Sequence, residues 1–506
     1  MPGVVLGVDI GTSSSKGVLV DFLGRVIATV VREHEVSRPH PGWVEMDAAI
    51  WWDEFVSIAH ELSALPQTTI LAVGVSGMGP CVLVADDDGA PLRNAILYGV
   101  DTRATEQIAR LSEDLGAAEI LRRCGSELST QAVGPKLAWI AEHEPDVWAA
   151  ASRLFMPSSW LVWNLTGNYL LDHHSASQCT PLYDGIENEW YGPWVAKIAP
   201  ELRLPPLVWP GDIAGELSEV AAEATGLPAG IPVIAGTIDA WTEAVSVGAQ
   251  NPGDLMLMYG TTMFLINTVA ERITAPGLWG TVGAFRGTRN LAGGMATSGA
   301  ITGWLRSLFG SPSYPELLAE AEVAGPGAHG LLMLPYFAGE RTPIADPDAR
   351  GVLAGLTIEH GQGDLYRAAL EATALGVRHN VDALRAAGGS VERVIAVGGG
   401  TQGSLWTQIV SDVTGLTQEV PTITTGASYG AAFLAASAIA SVSIGEWNPV
   451  AYRAQPRREF LANYDELYEL YLRLYPATAE IAHALAGRQR ATSISERSPR
   501  TSQDAP

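Results

Sequence analysis

Residues 4–21, which read VVLGVDIGTSSSKGVLVD, constrain the fold of this chain more than any other stretch. Two runs of aliphatic and β-branched residues, 4–8 and 17–20, have the length and composition of β-strands. Between them lies Gly11, followed by four consecutive hydroxyl residues. Glycine and small polar residues are typical of tight turns. The stretch therefore predicts a β-hairpin whose strands meet at a polar turn.

The turn has the chemistry of an anion site with a metal ion beside it. Gly11, Thr12 and Ser13 offer amide and hydroxyl donors, and Lys16 adds a positive charge at the rim. Asp9, at the end of the first strand, would repel a bare phosphate, but Mg²⁺ accepts carboxylate and phosphate oxygens together. We predict a phosphate and Mg²⁺ site with Asp9 as the metal ligand. The alternative is an ordinary hairpin with a polar loop, in which Asp9 caps the turn.

Two common phosphate loops are excluded. The three lysines of the chain follow Ser, Pro and Ala, so no Gly-Lys-Ser or Gly-Lys-Thr loop exists. No G-x-G-x-x-G run follows the first strand, which argues against a dinucleotide-binding fold that begins there.

Length and charge narrow the class further. A chain of 506 residues exceeds what one hydrophobic core usually serves, so we expect two domains, with a boundary near residues 245–253. We assign residues 1–248 and 249–487 to these domains and residues 488–506, rich in Ser, Arg and Pro, to a disordered tail. The net charge of −24 argues against nucleic acid and anionic membranes as partners.

Cysteine usage and the apolar runs favour a cytoplasmic protein. Cys81, Cys124 and Cys179 are far apart and lack the Cys-x-x-Cys spacing of a zinc site. The first residues lack the basic region of a signal peptide. The longest small apolar run, 431–442, is too short for a membrane span and is predicted to be a buried helix.

The second half of the chain repeats the opening pattern. A predicted strand at 254–258, a turn containing Gly260 and Thr261, and a returning strand at 264–268 form a second hairpin. A predicted strand at 391–397 leads into a glycine turn and then a helix. A glycine turn at a helix N-terminus is a typical binding position for a phosphate or nucleotide. This alternation of strands and helices predicts two α/β domains with a cleft between them.

Two motifs identify a family resemblance. GVLAGL at 351–356 followed by DLYRAALE at 364–371 fits a signature of the FGGY family of carbohydrate kinases, whereas the other signature matches only at 136–143. The chain resembles this family over residues 4–445. Further matches are DIGTSSSK at 9–16, GTID at 236–239, YGT at 259–261, GERTP at 339–343 and GGG at 398–400.

The resemblance implies an α/β fold of two actin-like (ribonuclease H-like) domains with an interdomain catalytic cleft. It also implies transfer of the γ-phosphoryl group of ATP, with Mg²⁺, to a sugar hydroxyl, and it makes a homodimer a reasonable expectation. The N-terminal domain would bind the sugar and supply the base, and the C-terminal domain would bind the nucleotide. A non-metabolic actin-like ATPase and a sugar-sensing homologue without turnover are the alternatives.

The resemblance also assigns roles to residues of this chain. Asp239 is expected to be the general base, and its alternative role is that of a helix N-cap. Asp9 is expected to hold the Mg²⁺ ion and to take part in catalysis through it. Contacts to the β- and γ-phosphates are assigned to Gly11, Thr12, Ser13 and Lys16 from the first hairpin and to Gly260 and Thr261 from the second. The adenosine end is assigned to Gly299, Gly303, Gly399, Gly400 and Gly403, which could instead serve turns or helix packing.

Sugar binding is assigned to Met78, Gly79, Asp101, Arg103 and Asp239, with a surface salt bridge as the alternative for Asp101 and Arg103. The Trp-Val-Glu and Gly-Glu-Arg-Thr-Pro stretches resemble xylulokinase-like members of the family. Those members carry Gly-Gln-Met-His-Gly after the third strand of the sheet, whereas this chain has GMGP at 77–80. The acceptor is therefore expected to be a xylulose-like ketose, a polyol or an aldonate.

Overall fold

Two seven-stranded β-sheets, one in each half of the chain, form the framework of residues 3–497, which this computed structural model describes. The strands of the first half are β1 (Gly3–Ile10), β2 (Ser14–Asp21), β3 (Val26–Glu33), β4 (Glu45–Met46), β5 (Thr69–Gly77), β6 (Leu83–Ala85), β7 (Ala95–Ile96), β8 (Arg153–Phe155), β9 (Leu171–Asp172), β10 (Tyr183–Asp184), β11 (Glu189–Trp190), β12 (Leu207–Val208), β13 (Ile213–Glu216), β14 (Pro232–Ile234) and β15 (Thr237–Ile238). Those of the second half are β16 (Asp254–Tyr259), β17 (Met263–Val269), β18 (Trp279–Val282), β19 (Arg289–Met295), β20 (Leu332–Leu334), β21 (Val352–Ala354), β22 (Arg393–Val397), β23 (Gln418–Pro421) and β24 (Val450–Ala454).

Helices cover both sheets. In the first half they are α1 (Ala48–Ser63), α2 (Thr105–Leu115), α3 (Ala117–Cys124), α4 (Val133–His143), α5 (Pro145–Ala150), α6 (Pro157–Thr166), α7 (His173–Ser177), α8 (Gly192–Ile198), α9 (Glu219–Thr225) and α10 (Asp239–Ser246). In the second half they are α11 (Gly299–Leu308), α12 (Tyr314–Ala324), α13 (Gln362–Ala386), α14 (Ser404–Thr414), α15 (Ala427–Ile439), α16 (Ile444–Trp447) and α17 (Leu461–Arg497).

The two sheets share one topology. In the first, β1 pairs antiparallel with β2, β2 pairs antiparallel with β3, and β1 is parallel to β5. In the second, β16 and β17 form the same antiparallel hairpin, β17 pairs antiparallel with β19, and β16 is parallel to β22. Both predicted hairpins are therefore confirmed, and the second half repeats the architecture of the first.

Helix α15 joins the two halves of the molecule. It belongs to the second half by sequence but packs on β1 and β5 of the first sheet. A Cβ atom at Gly7 or Gly74 would overlap the α15 backbone, so these glycines allow the helix to approach the sheet closely. Its residues 427–436 are all buried. The prediction of a buried helix at 431–442 is therefore confirmed for 431–436, whereas 437–439 are exposed or half-buried and the helix ends at Ile439.

The last helix corrects one sequence-based expectation. Helix α17 runs to Arg497, so residues 488–497 are helical and the predicted disordered tail is wrong for this part. The remainder of that tail, 498–506, lies outside the described residues. Within residues 3–497, every helix is too short or too polar to cross a lipid bilayer.

The contact between α10 and α15 generates a stability prediction. A Cβ atom at Gly430 of α15 would overlap the backbone carbonyl oxygen of Thr242 in α10. Overpacking of this kind costs about 1–3 kcal/mol, so we expect Gly430→Ala to lower the thermal midpoint. Gly487→Ala in α17 is the matched control, because no atom lies within 4 Å of its added methyl group. It should leave the midpoint unchanged or raise it, and an equal loss in both variants would contradict the packing argument.

Candidate active site

Three neighbouring strand ends of the first sheet form one wall of the candidate site. Asp9 at the end of β1 pairs in register with Ser76 of β5, and Ser76 pairs with Thr237 of β15. Asp239 follows β15 directly and is the first residue of α10. Because the carboxyl ends of parallel strands lie at the same edge of a sheet, Asp9 and Asp239 come from neighbouring positions.

Three carboxyl groups share this edge, and burial opposes the ionisation of each of them. Burial raises the pKa of Asp9 to about 6, although the Ser76 hydrogen bond and the charge of Lys16 lower it. Burial and the charge of Asp9 raise the pKa of Asp239 well above its usual range. The same two causes raise the pKa of Glu243 to about 7. Burial and like charges disfavour ionisation, so a bound cation would shift these groups toward their ionised forms.

The carboxylate oxygens differ in their hydrogen bonding. Asp9 Oδ1 is buried and has no hydrogen-bond partner. Asp239 Oδ1 accepts a hydrogen bond of 2.7 Å from the Ala240 N–H at the start of α10. The N-cap position itself is occupied by Ile238, so Asp239 is not the capping residue. The hydrogen bond occupies one oxygen of Asp239 and orients its carboxylate.

The first hairpin turn lies beside these carboxylates. The Gly11 N–H donates to the Ser14 carbonyl oxygen at 3.0 Å and closes the turn. The Thr12 hydroxyl is 2.8 Å from the Tyr98 hydroxyl, and Ser13 is exposed. These contacts hold the turn that follows Asp9 at the end of β1.

Lys16 reaches across to the second half of the chain. Its Nζ donates a hydrogen bond of 3.1 Å to the backbone carbonyl of Thr425, just before α15. Its charge also lowers the pKa of Asp9 and of Glu243. Lys16 therefore lies between the carboxylates and the second domain.

The turn between β16 and β17 lies against the start of α11. The Gly299 N–H donates to the Gly260 carbonyl at 2.9 Å, and the Ser298 and Ala300 N–H groups donate to the Thr261 carbonyl at 3.0 and 3.1 Å. A Cβ atom at Gly299 would overlap the Gly260 carbonyl oxygen, so glycine is needed there. The second hairpin turn and the N-terminus of α11 thus form one rigid unit.

A cavity of about 840 Å³ opens on one side of this turn. It is lined by six of the predicted nucleotide residues, namely Gly260, Thr261, Gly299, Gly399, Gly400 and Gly403. Gly303 is not among the lining residues, and a Cβ atom there would lie 3.8 Å from the hydroxyl of Tyr314, which does line the cavity. The volume lies within the range usual for ligand pockets, and the glycines bring backbone to its surface.

A smaller cavity of about 200 Å³ opens on the other side of the same turn. Asp239 and Gly79 line it from the first domain, and Thr262 and Phe264 line it from the second. Since Gly260 and Thr261 face the larger cavity, the turn 260–262 separates the two spaces. Molecules bound in the two cavities would therefore lie next to each other at this turn.

Several residues that line the smaller cavity were not among the predicted site residues. They include Tyr98, Gln131, Gln178, Trp241 and Arg341. Arg341 lies inside the GERTP motif, so the motif was the one available clue. The others lie in segments whose sequence resembles ordinary loops or helices, and only the fold brings them together.

Three predicted sugar-binding residues are not on the cavity surface. Met78 is fully buried in the core of the first domain, because its side chain packs with the apolar residues of β1 and β5. Asp101 and Arg103 form a salt bridge of 2.7 Å, which was the alternative interpretation, but the pair is buried and not on the surface. Arg103 also bonds Glu45 at 2.6 Å. These contacts occupy both side chains, so the structure favours a structural role.

The GERTP loop is fixed by its glutamate. Glu340 Oε1 accepts hydrogen bonds from the Ala296 N–H at 2.8 Å and from the Arg341 N–H at 2.7 Å. The Thr342 hydroxyl accepts a third bond, from the Gly294 N–H at 2.7 Å. The loop is thereby held on the end of β19, and Arg341 reaches the smaller cavity. Glu340 therefore locks the loop in place.

The architecture defines a two-domain α/β protein with a cleft between actin-like domains, and comparison with known proteins identifies its family. Models of the FGGY family of carbohydrate kinases match residues 4–246 with the N-terminal domain and residues 255–439 with the C-terminal domain. The chain therefore belongs to the FGGY family of carbohydrate kinases.

Individual relatives agree with this assignment. The crystal structure of xylulose kinase from Rhodospirillum rubrum superposes with a TM-score of 0.89 at 31% identity, covering 95% of this chain and 100% of that one. A glycerol kinase from Nocardia farcinica is 33% identical over 466 residues, 88% of this chain and 91% of the relative. A xylulose kinase from Staphylococcus epidermidis is 28% identical over 493 residues, 94% of this chain and 97% of the relative. These relatives, two xylulose kinases and a glycerol kinase, support the assignment of the chain as a carbohydrate kinase.

The loop lock generates a prediction about pH. Burial raises the pKa of Glu340 to about 7, above its value in the unfolded chain, so the native state holds the proton more tightly. Stability should then fall as pH rises from about 4.5 through 7. Glu340→Gln keeps the acceptor oxygen without the charge. As the pH rises from 5 to 8, we expect its free energy of unfolding to increase by about 2–3 kcal/mol relative to that of the wild type.

The matched variant is Glu340→Ala, which removes the acceptor of two N–H groups. It should destabilise the protein at both pH values, because buried donors without a partner are costly. The measurement is the thermal midpoint of all three proteins at pH 5 and pH 8. An unchanged difference between Glu340→Gln and the wild type across this range would show that Glu340 does not titrate as described.

Proposed function

We propose that the chain transfers the γ-phosphoryl group of MgATP to a hydroxyl group of a small neutral ketose or polyol, with Asp239 as the general base. The observation that carries the proposal is the pair of cavities that meet at the turn 260–262. The larger has the size and glycine-rich wall for a nucleotide, and the smaller contains Asp239. An acceptor hydroxyl beside Asp239 would lie close to the terminal phosphate of a nucleotide on the other side.

The environment of Asp239 supports the role of a base. A free aspartate has a pKa near 4 and is a weak base at neutral pH. Burial and the charge of Asp9 raise the pKa of Asp239, which strengthens its carboxylate as a proton acceptor. In a loose phosphoryl-transfer transition state the acceptor loses its proton late. A carboxylate that orients the hydroxyl and finally accepts this proton is therefore sufficient.

Asp9 is the residue proposed to hold Mg²⁺. Its unpartnered buried oxygen and the nearby acidic groups fit a cation. Among the side chains of residues 3–490, no group of three or more His, Cys, Asp or Glu could hold a metal ion without further ligands. Mg²⁺ usually combines one or two carboxylates with water and substrate phosphates, so Asp9 would hold it together with the nucleotide. The ion would neutralise charge on the phosphates.

The two hairpin turns would hold the phosphates from opposite sides. We assign Gly11, Thr12, Ser13 and Lys16 to one side and Gly260 and Thr261 to the other. Lys16 already bonds the Thr425 carbonyl of the second half. Placement of reacting groups in this way can contribute about 7–11 kcal/mol to the barrier reduction. It also keeps water away from the γ-phosphate.

The smaller cavity supports a compact, uncharged acceptor. Residues 78–80 bring no polar side chain to it, because Met78 is in the core and Gly79 has none. Hydroxyl recognition is left to Tyr98, Gln131, Gln178 and Arg341 on its wall. Asp239 and Glu127 on the same wall disfavour an anionic acceptor, and Arg341 is the group that would favour an aldonate.

A coupled assay of ADP release tests the substrate class. The purified full-length protein is incubated with MgATP and, separately, D-xylulose, further pentuloses and hexuloses, glycerol and larger polyols, and D-gluconate. We expect acceptor-dependent turnover with a neutral ketose or polyol, which stops when EDTA removes Mg²⁺. Turnover with D-gluconate alone would overturn the neutral-acceptor assignment. ATP hydrolysis without any acceptor dependence would favour the alternative of a regulatory actin-like ATPase.

Replacement of Asp239 tests the general base. Asp239→Asn keeps the size of the side chain but removes the proton acceptor, so kcat with the best acceptor should fall about 10²- to 10⁴-fold. ATP binding measured by calorimetry should persist. Glu243→Gln is the matched control, since it removes a carboxylate of the same group four residues later, and its kcat should fall less than about tenfold. Near-normal phosphorylation by Asp239→Asn would remove the base assignment.

A further inference from the structure

One hydrogen bond connects the two predicted binding regions of the first domain. The Tyr98 hydroxyl is 2.8 Å from the Thr12 hydroxyl of the first hairpin turn. The same Tyr98 lines the smaller cavity together with Asp239. A single side chain thus belongs to the acceptor cavity and also contacts the turn assigned to the phosphates.

Side chains of α4 and of the segment just before it hold the backbone around Tyr98 in place. Lys136, itself buried, donates from Nζ to the carbonyl oxygens of Leu97 at 2.6 Å and Tyr98 at 3.0 Å. Gln131 Oε1 accepts from the Gly99 N–H at 3.0 Å, and the Thr130 hydroxyl donates to the Gly99 carbonyl at 3.0 Å. Together these hydrogen bonds fix three consecutive residues, 97–99. The ring of Tyr98 is therefore presented from a rigid support.

The charges around the Tyr98 hydroxyl come from both domains. Burial raises the pKa of Tyr98, the charge of Asp239 raises it further, and the Thr12 hydrogen bond and the charge of Arg341 lower it. The phenol therefore stays protonated at neutral pH and keeps a proton to donate. When it donates to Thr12 Oγ1, the Thr12 hydroxyl proton is free to point at a phosphate oxygen.

We propose that Tyr98 is a positioning residue that couples acceptor binding to nucleotide binding by orienting the Thr12 hydroxyl. The inference rests on the proposed function, because it takes the smaller cavity as the acceptor site and the turn at Gly11 as a phosphate site. An acceptor that packs on the Tyr98 ring would hold the ring in the orientation in which its hydroxyl bonds the Thr12 hydroxyl. By thermodynamic linkage, the nucleotide must then strengthen acceptor binding by the same factor.

A double-mutant cycle tests the coupling. The four proteins are the wild type, Tyr98→Phe, Thr12→Val and the double variant, and the measured quantity is the Kd of the Mg²⁺ complex of AMP-PNP, a non-hydrolysable ATP analogue, by calorimetry. A neutral hydrogen bond contributes about 2- to 12-fold in an equilibrium constant, so Tyr98→Phe should weaken binding by that factor. In the Thr12→Val background, Tyr98→Phe should have no further effect, because the partner is already gone.

The best acceptor from the ADP-release assay then tests the linkage. In the wild type this acceptor should lower the Kd of Mg·AMP-PNP, and in Tyr98→Phe the acceptor effect should be lost. Tyr169→Phe is the matched control, because it removes a hydrogen-bonded tyrosine hydroxyl that is not near either cavity. The Tyr169 hydroxyl bonds the backbone of Leu154 and Arg203. This variant should leave the Kd and the acceptor effect unchanged. Thermal midpoints of all variants confirm that they fold.

Additive effects of the two substitutions on the Kd, or an unchanged Kd in Tyr98→Phe, would overturn the proposal. This measurement needs no acceptor, so it gives a result even if no sugar is phosphorylated. The absence of any phosphorylated sugar would overturn the proposed function alone. An acceptor effect that persists fully in Tyr98→Phe would show that the coupling takes another route and would also overturn the inference.

Discussion

The register of three parallel strand ends is the constraint on which the rest of the site depends. Asp9, Ser76 and Thr237 lie side by side because β1, β5 and β15 are hydrogen-bonded neighbours in one sheet. Asp239 follows β15 directly, two residues after Thr237. A shift of one residue in either pairing would turn these side chains to the other face of the sheet, so the backbone hydrogen bonds determine where the acidic groups meet.

The gathering of acidic groups at this edge is unfavourable in the protein alone. Burial raises the pKa of Asp9, Asp239 and Glu243, and the charge of Asp9 raises the pKa of the other two further, so the ionised groups are held at a cost in free energy. A cation and a positioned phosphate donor relieve part of it. Perturbed carboxyl groups of this kind are typical of functional sites, and here the same environment that disfavours ionisation makes Asp239 a better proton acceptor.

The repeated architecture explains why two cavities meet at one turn. Each half of the chain places a hairpin next to a parallel strand, and α15 of the second half packs on β1 and β5 of the first. The hairpin turns at Gly11 and at Gly260 therefore approach the cleft from the two domains. Because the turn 260–262 faces both cavities, a short distance separates the proposed acceptor from the proposed phosphates.

The sequence by itself determined the elements whose cause is local. Runs of aliphatic and β-branched residues on either side of a glycine with hydroxyl neighbours predict the hairpin at Gly11. The family motifs pointed to Asp9, Asp239 and the glycines of the larger cavity. Only the tertiary structure decided which other side chains reach the site. Met78 turns to the core and Arg103 is neutralised by Asp101, whereas Tyr98 enters the smaller cavity, since such directions depend on packing between segments distant in sequence.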